Sequence, residues 1–393
     1  MRKITIDLPE ISNDTKHDLM EILPYILNDI LKIEVQESKF IISTLSDKKE
    51  IEFKKNILNW AKKLEDLNRK TPRHIDLEIK KYDFTSENKT SIWEELIKGK
   101  IIVEVAEGSY VYRKIFKKIY NYFFKKIYEF SNSNFKNIEY IKSPVLQNIK
   151  GNYEEDYIKN YPQHIYYCCK PKITINNIEE LDKLKNINSC YNLMDNPSFI
   201  LTHAACSWLY PTLTEDDIKD KNLNTFLLEG RCFRNEEKKL KELLRLNEFN
   251  MLEIVFWGRR SYIEEAVVKI HKFWDNLVYT FKLDAKINRA TDSFVGTTAA
   301  LMKAYQLLNG TKEELVMNLP EENYYYPVSS INLHRKHFVK MYNIELYPDY
   351  ETACMGFGLD RIVYLFLSQK GLDVQKWDKE TYNEINKYER IDD

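Results

Sequence analysis

Arg234, Glu236, Arg245, Phe249 and Glu253 crowd into "LEGRCFRNEEKKLKELLRLNEFNMLEIVFWG", residues 228–258 of a 393-residue chain. Successive side chains on a strand face opposite ways, so residues an even number apart share a side. On a hairpin, Arg234 and Glu236 would project together from the first strand, and Arg245, Phe249 and Glu253 from the second, with "KKLKE" as the loop. Such a face is either a row of cross-strand ion pairs on a solvated sheet, worth little, or a seat for an anionic ligand. The spacing alone leaves both open.

A second stretch, "GFGLDRIVYLFL", favours the ligand. Gly356 and Gly358 would let it approach the strand backbone, and Arg361 opens a helix, where free N–H groups and the helix dipole attract anions. Arginines on both elements, with a ring for a base to stack on, suit a nucleoside triphosphate. Neither GxxxxGKS, GxxxxGKT nor GxGxxG occurs, so the nucleotide would be held by neither a P-loop nor a Rossmann turn.

The elements that must position these residues fall into two regions. Residues 1–85 alternate strand-like and helical runs: "RKITIDL" as strand, "DTKHDLMEILPYILNDIL" as a helix bent at Pro24, "IEVQESKFIISTL" as strand and "KKEIEFKKNILNWAKKLEDL" as helix. They predict a small α+β module, with the polar stretch 68–91 as its linker. Its lysines interleave with acidic residues, which favours a solvated helix face over a binding patch. Residues 86–393 predict a larger domain. In it, an aromatic-rich helix over "SYVYRKIFKKIYNYFFKKIYEF" precedes a strand ending at Pro144. Strand runs "HIYYCCKPKITI" and "SFILTHAAC", the hairpin, the helix "YIEEAVVKIHKFWDNLVYTFKL" and a final strand-to-helix unit follow. Strands separated by single long helices predict an α+β fold, an antiparallel sheet flanked by helices.

Composition sets limits on function. Hydrophobic residues make up 44% of the chain and the net charge is -1, so a large core is available and no global field announces nucleic acid or membrane. Neither a signal peptide nor an apolar run of bilayer length occurs, which predicts a soluble cytoplasmic protein. Six scattered cysteines predict reduced thiols or metal ligands rather than a disulfide framework.

Three ordered signatures carry a resemblance. "FRNE", followed by a short loop and then Arg245, Phe249 and Glu253, resembles motif 2 of class II aminoacyl-tRNA synthetases; "GFGLDR" resembles motif 3, and the helix–strand–Pro144 unit resembles motif 1. From about Trp93 to Trp377 the chain is most similar to the zinc-dependent seryl-tRNA synthetases of methanogens and their relatives, the amino acid:[carrier protein] ligases.

That resemblance implies a zinc ion on Cys206, Glu253 and Cys354, with an open fourth position for the α-amino group of a small amino acid: glycine, alanine or serine. It implies ATP as substrate, with Arg234 on the α-phosphate, Glu236 near adenine or the aminoacyl group, Phe249 stacked on adenine, Arg245 on the outer phosphates and Arg361 on the γ-phosphate. Magnesium would fall to Glu314, with Ser330 as a second ligand; the acidic residue usual just before "SSIN" is missing. Cys168, Cys169, Cys190 and Cys232 match no ligand position and are expected to be ordinary thiols. His334 and His337 are expected either at substrate, or a phosphopantetheine arm, or in structural roles.

"ACSWLYP", "SSINLHRKHF", "TDSFVGTTAALMKAYQ" and the interval from Cys206 to Arg234 resemble the carrier-protein ligases, which implies transfer to a phosphopantetheinylated carrier protein. The N-terminal module resembles the tRNA-charging branch instead, so tRNA stands as the alternative acceptor and a non-catalytic regulator as a third possibility. Motif 1 implies a homodimer.

Overall fold

The computed structural model describes residues 2–387 except 9, 13–14, 17–18, 21–22, 24–29, 37–38, 45–49, 70–76, 155–156, 176–177, 180–186, 237–238 and 296–298. Pro24 and its bend lie outside the described residues. Near the N-terminus, β1 (Arg2–Asp7), β2 (Ile30–Gln36) and β3 (Lys39–Thr44) form an antiparallel sheet in the order β1-β3-β2. The single strand expected over 33–45 is thus a hairpin. Alternation puts Ile4, Ile6, Phe40 and Ile42 on one buried face with Ile57 and Ala61 of helix α1 (Glu50–Arg69), a core of their own.

The larger sheet has eight strands. β4 (Glu78–Lys81) is its edge and lies inside the stretch expected as linker. Three of its four residues are exposed and its sequence, EIKK, is charged, as suits an edge strand; what makes it a strand is backbone pairing with Ala285–Arg289, which local sequence does not reveal.

β5 (Ile102–Ala106) and β6 (Ser109–Tyr112) make a hairpin, so the aromatic-rich helix α2 starts only at Lys114 and ends at Asn134. β7 (Glu139–Lys142) follows. β8 (Leu146–Asn148), β9 (Tyr167–Cys168) and β10 (Phe199–Leu201) form a small sheet, far shorter than the runs expected there.

The rest of the main sheet comes from β11 (Leu223–Phe233), β12 (Glu248–Arg259), β13 (Ala285–Arg289), β14 (Lys312–Leu319), β15 (Tyr324–Arg335) and β16 (Tyr350–Gly358). The order is β4-β13-β14-β15-β16-β12-β11-β7. Among the described strands, only β7 with β11 is parallel.

Helices α3 (Arg260–Phe281) and α5 (Leu359–Lys370) pack with α2 on one face, where Phe123, Phe281 and Phe366 meet edge to face at 5.2–6.2 Å. α5 is buried at every residue except Arg361, a central rather than amphipathic helix. Helix α4 (Ala299–Asn309) precedes β14. The opposite face of the sheet carries the polar chemistry. No described helix is long and apolar enough to cross a membrane.

Candidate active site

Strand register decides which side chains meet. Glu253 on β12 lies opposite Gly356 on β16, and Val255 opposite Cys354. Cys354 and Gly356 lie opposite Asn332 and Ser330 on β15, and Ser330 opposite Glu314 on β14. These residues therefore share the face away from α2, α3 and α5. Gly356 leaves room for the acid: a Cβ there would come within 3.6 Å of Glu253 Oε1 and 3.1 Å of Met251 Cε. A Cβ on Gly358 would meet nothing nearer than 4.0 Å.

Cys206 arrives from a different element, the turns after β10. Ser143 Oγ donates to Ala205 O at 2.8 Å, and Gly230 allows the segment to lie on β11, since a Cβ there would come within 2.6 Å of Ala205 Cβ. The ligand atoms of Cys206, Glu253 and Cys354 all lie within 4.8 Å of one another, and all three residues are buried.

Two thiols and a carboxylate are an unusual set to bury. Glu253 Oε2 has no hydrogen-bond partner, and burial pushes the carboxyl up to about 8. Cys206 is pushed up by its hydrogen bond with Cys354 and by burial. A dication eases the conflict: it offsets two of the three negative charges the deprotonated set would carry, takes up the unpartnered oxygen and matches the ligand types and number of an open zinc site. The cluster fits such an ion. Around it, Asn332 Nδ2 lies 3.8 Å and His334 Nε2 3.7 Å from Cys354 Sγ, while His334 Nδ1 is 3.4 Å from Tyr210 Oη.

Beside this cluster the guanidinium groups converge. β11 ends at Phe233, so Arg234 and Glu236 stand just past it rather than on it. Arg234 N still donates to Asn247 O at 3.0 Å, but Asn235 N turns away to His164 O at 3.0 Å, which breaks the ladder. Arg245 likewise precedes β12, in a turn where its N–H donates to Lys241 O at 3.1 Å, and its Nη1 returns to Glu236 Oε2 at 3.3 Å. Arg234 Nε donates to His203 O at 3.2 Å, and its guanidinium lies 5.2 Å from the centre of the Phe249 ring.

Arg361 donates to Pro327 O at 2.8 Å and to Leu244 O. Burial and then the nearby Arg245 lower it to about 10, with Arg234 adding repulsion and Glu236 and Glu314 opposing it. Three cations competing this way are poised for a polyanion. Glu314 meanwhile pairs with Lys312 at 3.2 Å.

Several neighbours were not singled out from sequence. Asp360 accepts from Asn250 N and Nδ2 at 2.5 and 3.0 Å, pinning the start of α5, and thus Arg361, to β12. Asp292 pairs with Lys312 at 2.5 Å and accepts from Gln306 at 2.7 Å; burial opposes its ionisation, but Lys312 holds it below the usual carboxylate range. His203 is buried with Nδ1 unpartnered. Asp360 lies two residues after the second of the paired glycines, a signal in plain view; Asp292 and His203 have none. All six cysteines are free thiols.

No protein-family model matches the chain. A type-2 serine–tRNA ligase of Methanocaldococcus jannaschii is 27% identical over 247 residues, covering 60% of this chain and 47% of that protein. Amino acid–[acyl-carrier-protein] ligase 2 of Bradyrhizobium diazoefficiens is 26% identical over 248 residues, covering 61% of this chain and 72% of that protein. The chain thus spans about half the length of the serine–tRNA ligases it matches. Among solved structures, M. kandleri SerRS in complex with A. aeolicus tRNASec superposes with a TM-score of 0.69 at 16% identity, over 99% of this chain and 78% of that one. Prolyl-tRNA synthetase of Cryptosporidium parvum superposes with a TM-score of 0.52 at 13% identity, over 73% of this chain and 54% of that one. The fold is that of class II synthetases, as the three sequence signatures implied.

Proposed function

We propose that the chain is an ATP-dependent ligase that activates glycine, alanine or serine as an aminoacyl-adenylate and passes it to the phosphopantetheine thiol of a carrier protein. The observation that carries this is the meeting, on one sheet face, of a buried Cys206–Glu253–Cys354 cluster with three converging guanidinium groups. The three residues would hold zinc; when bound, it supplies a Lewis-acidic fourth position for the neutral α-amino group.

Phe249 offers a ring for adenine, Glu236 stands near the base or the aminoacyl group, and Arg245 and Arg361 take the outer phosphates. Glu314, with Ser330 opposite, would hold magnesium. A carboxylate oxygen of the amino acid attacks the α-phosphorus, the bond to the β-phosphate oxygen breaks and pyrophosphate leaves. Arg234 offsets the charge that develops on the α-phosphate. In the second step the thiol sulfur bonds to the aminoacyl carbonyl carbon, the bond to AMP breaks and the thiol proton passes to solvent. A cytoplasmic homodimer belongs to the same proposal.

The match over 72% of the carrier-protein ligase, against 47% of the serine–tRNA ligase, favours a carrier as acceptor. One observation favours tRNA: the tRNA-bound M. kandleri SerRS superposes over 99% of this chain, and so over the N-terminal module as well. Adenylation is tested by pyrophosphate exchange with each amino acid, with and without zinc. Exchange confined to small amino acids and lost on chelation is expected; a folded, metal-free and exchange-inactive protein would point to a regulator instead.

A further inference from the structure

Next to the metal-competent cluster the fold opens into a cavity of about 940 Å³, lined by Arg260, Arg335, Lys336 and Lys340 with His334 and His337. Tyr305 and Asn309 of α4 add neutral polar groups, and no carboxylate is among the lining residues. Three acids pair with these cations, among them the exposed Glu264, 3.7 Å from Arg335. Glu351 is buried and pairs with Arg260 and, at 3.1 Å, with Arg335; Glu345 pairs with Lys336 at 2.6 Å. They fix three of the cations in place, while Lys340 is exposed and makes no ion pair among the described residues. An anion is the ligand this wall suits.

His334 joins the cavity to the site. It lines the cavity, and its Nε2 stands 3.7 Å from Cys354 Sγ. His334 is thus shared between the cavity lining and the surroundings of the metal-competent cluster. The volume is that of a pocket for a small, flexible ligand, within the range of about 300–1,000 Å³ usual for such sites. A nucleic-acid end would ask for a longer track of cations neutralising several phosphates, and the chain's net charge is -1.

We infer that this cavity is the entry port for the acceptor arm: its phosphate rests among Lys340, Lys336 and Arg335, and its thiol end passes His334 to the aminoacyl carbonyl. The inference rests on the carrier-protein proposal and adds the place and the charge that recognise the arm.

The test is transfer of labelled amino acid by the full chain, supplied with zinc and magnesium-ATP, to 4′-phosphopantetheine and to pantetheine, which lacks the phosphate. Wild type is expected to use phosphopantetheine at the lower KM. Lys340→Glu should raise that KM by about fivefold or more, the scale of one exposed ion pair reversed, without raising the KM for pantetheine, and Lys340→Arg should keep the wild-type value. Equal KM values for the two acceptors in wild type, or a Lys340→Glu change that is the same for both, would overturn the port while leaving the ligase proposal standing. Charging of tRNA with no transfer to either thiol would overturn the proposal and the port together.

Discussion

Replacing Glu253 by glutamine should have two effects of opposite sign. Glu253 is 3% exposed, its Oε2 is unpartnered, and its ligand oxygen lies within 4.8 Å of both sulfurs. Without metal, burial raises the carboxyl from 4.5 to about 8. The metal-free fold then keeps the proton at neutral pH while the unfolded chain releases it. Stability is intact below pH 4.5, falls by about 1.4 kcal/mol per pH unit as pH rises, and stops falling above about 8. At pH 7 the loss is about 3 kcal/mol. An amide of the same shape does not ionise, so this slope vanishes. Its own desolvation costs about 1–3 kcal/mol, which leaves the metal-free variant near or above metal-free wild type at pH 7. Zinc affinity moves the other way. A four-ligand structural zinc site binds with about 10–16 kcal/mol, about 3 kcal/mol per ligand, so losing one of the three anionic ligands here should cost about that much, on the order of 100-fold in Kd. Urea unfolding of chelator-stripped proteins between about pH 5 and about pH 8, with zinc competition against a chromophoric chelator, reads both. Equal pH slopes in the two metal-free proteins, or undiminished zinc affinity in the variant, would refute this account of Glu253.

Arg234→Lys, which would lose the planar fork proposed for the α-phosphate, should cut the kcat of pyrophosphate exchange about 100-fold; a rise in amino acid KM at unchanged kcat would contradict that role. Gly230→Ala should push the Cys206 segment off β11, because the new Cβ meets Ala205 Cβ at 2.6 Å. It should cost about 1–3 kcal/mol and lower zinc occupancy, and wild-type occupancy measured by mass spectrometry would count against it. At Glu384 burial opposes ionisation, but hydrogen bonds from Lys387, Lys126 and Tyr122 prevail and hold the carboxyl at about 2. Its stabilisation is therefore present above pH 4.5 and lost as pH falls towards 2. Glu384→Gln should cost about 1 kcal/mol at neutral pH after allowance for solvent screening, and its urea midpoint should converge on wild type in acid; a constant difference would contradict the ion pair.

What the sequence revealed followed from period and order. Alternation along β12 puts Phe249 and Glu253 on one face, and only the resemblance to the zinc-dependent synthetases joins Cys206 and Cys354 to Glu253, since they lie on separate elements. Local pattern gave less where pairing decides. Charged Glu78–Lys81 is a strand only because β13 lies beside it. Arg234 and Arg245 fall off the strands assigned to them because a turn between Lys241 and Arg245 ends the ladder early. The partners of the site, Asn332 and His334 at Cys354 and Asp292 at Lys312, come together across strands whose register no single segment encodes.

Acceptor transfer tests the central claim most directly. Purified protein with ATP, magnesium, zinc and labelled glycine, alanine or serine is offered total tRNA and, separately, phosphopantetheinylated carrier proteins. Label on a carrier, released by a thiol reagent, is the predicted result; label on tRNA alone would contradict it and assign the N-terminal module to RNA.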